Sequence, residues 1–248
     1  MITTLVARNP SQSLLALPLW QRYLDHHMKF VFFSVLIVLA FANCQAPPPV
    51  SKQALQCYVR FDANRGQVQA DASLHQNADL LSPAVEMPGG MLYQGTEMHI
   101  VPVQGLIYRR MYAAGFVPEH SFGWTDAQGE RQKINFPMAS IQRFTFGEQP
   151  LSRTRASTLR WEGGPLEKGE ALVLMWENKA LNQTVPMEIV RSSGDAAIEF
   201  PAAKIAELAP GRWTLYLVRK RLAKGEIGNI SLEAVLEYYS KSDTIEVK

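Results

Sequence analysis

Ile230-Ser231-Leu232-Glu233-Ala234-Val235-Leu236-Glu237-Tyr238-Tyr239 decides the fold class. Ile230, Leu232, Ala234, Leu236 and Tyr238 alternate with Ser231, Glu233, Val235, Glu237 and Tyr239. Successive side chains of a β-strand point to opposite faces, so a period of two marks a strand with one buried face. The pattern recurs upstream. Arg212 to Lys220, Ala196 to Phe200, Val185 to Val190, Ala171 to Trp176 and Leu159 to Trp161 all read as strands. Only Pro201 to Leu208 reads as helix, about two turns with Pro at its start.

The same rhythm fills the first half. Val68, Ala70, Ala72 and Leu74 alternate with Gln67, Gln69, Asp71 and Ser73. Tyr58 to Asp62 is a preceding strand, joined through Ala63-Asn64-Arg65-Gly66, where a turn calls for positive φ. Residues 97–103 and 106–112 are further strands, broken by Gly105. Phe122 to Phe136 reads as a hairpin turning at Asp126-Ala127-Gln128-Gly129, and Ile141 to Phe146 as a closing strand. A boundary falls near Gly147 to Thr154, around Pro150. The expected fold is all-β, with two tandem β-sandwiches at residues 57–148 and 151–248.

Each half has the size and strand spacing of an immunoglobulin-like or fibronectin-type sandwich. In the second half, Leu208-Ala209-Pro210-Gly211-Arg212-Trp213-Thr214-Leu215-Tyr216 resembles the loop and penultimate strand of fibronectin-type III domains. In that family Leu-x-Pro-Gly precedes an aromatic residue and an alternating strand. Trp213 takes the aromatic place one residue early. The resemblance implies a fold and no activity.

The N-terminal region carries an address. Met28 to Cys44 (MKFVFFSVLIVLAFANC) sets Lys29 before an apolar run, Phe30 to Ala42. At about 1.5 Å per residue that run spans roughly 20 Å, short of a bilayer core of about 30 Å. It fits the apolar segment of a signal peptide, with residues 1–43 as the signal region and Met28 as the expected true start. Phe41-Ala42-Asn43-Cys44 resembles a bacterial lipobox, which implies a lipid on Cys44 and a membrane partner through it. Ala40-Phe41-Ala42 offers an ordinary signal-peptidase cut and a soluble periplasmic or secreted product; an uncleaved anchor is the third reading. Residues 44–56 form a proline-rich linker, Pro47-Pro48-Pro49 favouring a semi-rigid polyproline II spacer of up to roughly 40 Å. Cys57, the other cysteine, is either a lone apolar thiol in the first strand or the partner of Cys44, a closure worth about 3 kcal/mol. The whole resembles a tethered lipoprotein with tandem immunoglobulin-like or fibronectin-III-like domains. That resemblance implies an exported, envelope-anchored protein.

The chain carries 25 basic and 23 acidic residues. Setting aside Arg8, Arg22, Asp25 and Lys29 leaves 22 of each, so the exported part is formally neutral. That argues against nucleic acid, which needs a positive footprint. No zinc-type Cys/His cluster, HExxH, GxSxG or phosphate loop occurs, and no cofactor is implied. His75, His99 and His120 read as ordinary strand and edge histidines, and Ser121 beside His120 as adjacency. Glu86, Glu97, Glu119, Asp126 and Glu130 are the scattered carboxylates of a hydrolase reading. Trp161, Trp176 and Trp213 are expected in the core. Trp124, Tyr108 and Tyr112 are candidates for an exposed sugar-stacking row. Arg219, Lys220, Arg221 and Lys224 form the densest charge cluster, read as an anion-binding patch or as a solvated hairpin between the last two strands. The expected role is non-catalytic: a binding or scaffolding protein of the periplasm or cell surface. Carbohydrate capture is the first alternative and a β-sandwich hydrolase the second.

Overall fold

The computed structural model describes residues 52–102, 106–126, 128–189 and 194–248. The expected signal region, Cys44 and most of the expected linker lie outside the described residues. Ser51–Lys248 forms one compact unit, and its fold is all-β. The strands of the first half are β1 (Gln53–Asp62), β2 (Gln67–His75), β3 (Ala84–Val85), β4 (Met91–Tyr93), β5 (Thr96–Glu97), β6 (His99–Pro102), β7 (Leu106–Ala113), β8 (Glu119–Thr125), β9 (Arg131–Pro137) and β10 (Phe144–Phe146). Those of the second are β11 (Ser157–Trp161), β12 (Glu170–Asn178), β13 (Gln183–Ile189), β14 (Ala197–Phe200), β15 (Gly211–Ile227), β16 (Ile230–Tyr239) and β17 (Asp243–Val247). A one-turn helix, α1 (Ala202–Ile205), sits between β14 and β15.

One large sheet runs in the order β13-β12-β15-β16-β1-β2-β7-β6, with β17 added to β15 and β3 to β2. Two small sheets, β5-β4-β8-β9 and β10-β11-β14, complete the set. Directly paired residues point to the same face of a sheet. The row Tyr112–Val68–Phe61–Tyr238–Arg219–Leu172 therefore crosses one face of the large sheet from the first half into the second. Both small sheets cover that face. Tyr93 of β4 packs on Tyr112 at 6.4 Å between ring centroids. Phe146 of β10 and Phe200 of β14 pack on Trp176 of β12 at 5.9 and 6.1 Å. The two halves are thus two sandwiches that share a layer.

The tie between them is β1. It pairs antiparallel with β2 and, over its whole length, parallel with β16. Local periodicity reveals that β1 is a strand, but carries no sign of a partner so far along the chain. β1 also begins at Gln53, inside the stretch expected to be linker, because Ala54 and Leu55 are buried. The turn after β1 has the predicted positive φ at Gly66.

β15 corrects a second expectation. It runs 17 residues, and the basic stretch read as a hairpin loop continues the strand. The turn comes later, at Gly228-Asn229 between the paired Ile227 and Ile230. β4 and β17 show no period in the sequence because each offers only two inward apolar residues: Met91 and Tyr93 in one, Ile245 and Val247 in the other. α1 is one turn rather than two. Trp161, Trp176 and Trp213 are in the core as expected. Trp213 Nε1–H donates to the Ala209 carbonyl at 2.8 Å, fastening the strand to the Leu208–Gly211 loop, the job a corner tyrosine does in immunoglobulin-type sandwiches.

Candidate binding groove

The outer face of the small sheet β5-β4-β8-β9 carries a groove of about 710 Å³. That lies within the range of small-ligand sites. His120, Phe122 and Trp124 of β8 turn into the core, while Ser121, Gly123 and Thr125 take the opposite face, Ser121 buried there under the Gln94 side chain and Gly123 and Thr125 half-buried. Gly123 is the floor. It pairs with Leu92 of β4 on one side and Lys133 of β9 on the other. Its φ is not in the left-handed region, so conformation does not demand glycine there. A Cβ would stand 3.4 Å from the Gln132 carbonyl and 3.8 Å from Leu92 Cβ, in the middle of the groove. A glycine inside a strand with no backbone need for one leaves room for something else to approach.

The walls are held in place locally. The Gln94-Gly95 turn between β4 and β5 has φ of 50° and 72°, the two-residue hairpin turn with both φ positive. Gln94 is therefore a non-glycine residue in the left-handed region, and its side chain is fully engaged. Its Oε1 accepts from Ser121 Oγ at 3.0 Å and its Nε2 donates to the Glu119 carbonyl at 2.7 Å. At the other end Asp126 organises the β8–β9 turn. Its carboxylate accepts from Gln132 Nε2 and from the Gln128 and Glu130 amides, and these bonds, Gln132 first, hold its pKa below the usual carboxylate value. Arg131 and Lys133 project from the outer face of β9, two residues apart and exposed. Neither has an ion-pair partner among the described residues. The residues lining the groove include no carboxylate and no histidine.

The expected aromatic row does not form. Trp124 and Tyr108 are each 2% exposed, and only Tyr112 is half-buried. Inward-facing positions on β8 and β7 put these rings between the sheets, where the Tyr108 hydroxyl oxygen accepts from the Met87 amide at 2.9 Å. Trp124 still touches the groove from below.

The basic cluster is not a patch either. Strand alternation sends Arg219 and Arg221 to one face of β15 and Lys220 and Lys224 to the other. Arg219 is 3% exposed and lies in the apolar row across the large sheet. Its guanidinium is fully ligated: Nε to Glu170 Oε2 at 3.1 Å, Nη1 to the Gly163 carbonyl at 2.7 Å, and Nη2 to Glu170 and to the Pro165 carbonyl at 2.7 Å. It clips the loop before β12 onto β15. Arg221 pairs with Glu167 at 3.3 Å and Lys224 with Glu233 at 2.9 Å, leaving Lys220 as the member of the cluster without an ion pair among the described residues. Charge neutralised by neighbours offers little to an outside anion. Gly163 completes the clip, since a Cβ there would sit 1.9 Å from the Ser140 carbonyl oxygen.

Of the histidines, His99 is exposed and His75 bonds the Ser82 carbonyl through Nδ1 at 2.9 Å. His120 is fully buried, bonded through Nδ1 to the Tyr93 hydroxyl, while Ser121 turns to the opposite face of β8. Among the described residues no three His, Cys, Asp or Glu gather as metal ligands. The groove escaped sequence reading because its signal, a glycine at an outward strand position between outward Ser121 and Thr125, is one residue deep.

No protein-family model matches the chain, and no curated protein matches it. Solved structures with some likeness include the dimeric latent PorU of Porphyromonas gingivalis at 10% identity and TM-score 0.27, covering 82% of this chain and 21% of that one. The chain thus spans about a fifth of that protein. Others are the fibronectin(III)-like modules of Clostridium thermocellum CbhA, at 9% identity, TM-score 0.24 and 78% and 91% coverage. A third is the Bacteroides ovatus mixed-linkage glucan utilization locus protein SGBP-B in complex with a mixed-linkage heptasaccharide, at 12% identity, TM-score 0.19 and 78% and 62% coverage.

Proposed function

We propose that this protein is a non-catalytic binding module of the bacterial envelope, exported by its N-terminal signal, anchored through lipid on Cys44, and holding a glycan in the groove over Gly123. The groove carries the reading. Its floor is bare backbone beside Leu92, its walls are polar, and its lining holds no acid–base pair. A hydrolase of the sandwich type needs two carboxylates about 5 to 10 Å apart across its cleft, and none lines this one. Bare backbone beside an apolar side chain accepts the C–H face of a sugar ring, while the Thr125 hydroxyl stands where a ring hydroxyl would be. The signal pattern and proline-rich linker support the location.

The test is a filled groove. Gly123→Val puts a branched side chain on the floor at a position where strand geometry favours it. Titrating the protein with soluble oligosaccharides, with amide shifts followed by NMR, is expected to move the signals of Gly123, Leu92 and Thr125. Gly123→Val is expected to abolish those shifts while leaving the melting temperature within a few degrees. Shifts that persist in the variant place the ligand elsewhere and end the proposal.

A further inference from the structure

Arg131 and Lys133 narrow the ligand. We infer that the groove selects an acidic glycan, a sugar chain bearing carboxylate or sulfate groups; the inference rests on the binding reading above. The exported part is charge-neutral, and many of its cations are answered at short range. Arg109 forks onto Asp71 with two bonds of 2.7 Å, Arg219 is enclosed, and Lys52, Arg221 and Lys224 each pair with a glutamate. Arg131 and Lys133 stand together at one wall of a concavity whose lining has no carboxylate. At about 3.4 Å per residue their positions are roughly 7 Å apart on the same face of β9. They flank the Gly123 floor directly, because Lys133 pairs with Gly123 and Arg131 with Thr125. The Thr125 hydroxyl makes no side-chain hydrogen bond among the described residues, and Leu92 is 38% exposed. A cationic wall, a flat apolar strip and a hydroxyl within one groove match a ring with a negative substituent better than a neutral ring.

β9 is also the edge of its sheet, pairing only with β8 among the described residues. An edge can accept an added peptide strand. Here the outward charges at alternate positions blunt it, and Pro137 removes a donor. That favours a glycan over an acidic peptide. It also supplies the competing outcome.

The experiment titrates the full chain calorimetrically with hexagalacturonate, a heparin hexasaccharide, cellohexaose and poly-L-glutamate, at low and at high salt. At least one acidic sugar is expected to bind at least tenfold tighter than cellohexaose, and to weaken as salt rises because exposed charges are screened. Arg131→Gln with Lys133→Gln is expected to lose about tenfold, the size of two exposed ion pairs. Arg155→Gln, remote and paired with Glu148, should change nothing. Gly123→Val should abolish binding. Equal binding of cellohexaose, lost in Gly123→Val, overturns the charge selection and leaves the groove reading standing. Acidic binding untouched by Gly123→Val overturns the groove reading itself. Poly-L-glutamate binding as tightly as either sugar, or neither acidic sugar binding, overturns the glycan assignment. Hexagalacturonate carries carboxylate alone and heparin carries both groups, so binding of hexagalacturonate shows that carboxylate suffices and binding of heparin alone shows that sulfate is required.

Discussion

His120 carries the sharpest consequence at the scale of one residue. It is wholly buried beneath Tyr93, Phe116 and the sheet it belongs to. Burial pushes its pKa down to about 4, from the ordinary 6.5. The neutral imidazole is the native form. Between pH 6.5 and about 4 the unfolded chain therefore binds a proton that the native protein refuses. Stability from this group is full above pH 6.5, falls as pH drops to about 4, and changes no further below it. The total is on the order of 3 kcal/mol. His120→Phe leaves the Tyr93 hydroxyl without its partner, costing about 1 to 3 kcal/mol at neutral pH. It also removes the proton-linked fall. Urea midpoints at pH 7.5 and 4.5 should draw together for the variant and the parent; parallel declines would refute this account. The chain shows that His120 lies in an alternating strand, but its depth depends on what covers β8. Arg219 teaches the same lesson. By sequence it heads a basic cluster; by register it is the one cation in an apolar row, tolerated because Glu170 and three backbone carbonyls answer it.

At the scale of elements, β1 and β16 matter most. Both were legible as strands because one face of each is buried, so apolar residues recur at every second place. Their parallel pairing was not legible. It makes β1 a central strand of a sheet whose other members come mostly from the second half or lie beyond β2. Cys57 sits in the middle of β1, facing the core opposite Ala72 and Ala234. Burial raises its thiol pKa far above the normal value, which suppresses the reactive thiolate. In a Cys44→Ser chain, labelling of Cys57 by a thiol reagent should be as slow as global unfolding and should slow further with any stabilising change. Fast labelling under native conditions would mean that β1 opens on its own, and that the halves are held together less tightly than their shared sheet implies. Among the small elements, the Gln94-Gly95 turn leaves no mark in the sequence because neither flanking strand is long enough to show a period.

For the molecule as a whole, location and architecture separate cleanly. Location rests on the N-terminal sequence: mass spectrometry of the mature protein should find a diacylglyceryl-modified Cys44 at the N-terminus. An unmodified Asn43 terminus would remove the lipid anchor from the account and leave a soluble exported protein. Architecture rests on the fold. The sequence by itself determined the all-β class, most strand positions, the turn at Gly66 and the core placement of Trp161, Trp176 and Trp213. These follow from local rules, since a strand's period and a turn's φ are decided by residues a few places apart. Only the tertiary structure decided that the two sandwiches share a sheet, that Trp124 and Tyr108 are covered, that Arg219, Arg221 and Lys224 are paired along β15, and that Gly123, Arg131 and Lys133 meet in one groove. Each of these depends on which strand lies beside which. That choice is made by the packing of one continuous core across distant segments, and no window of sequence contains it.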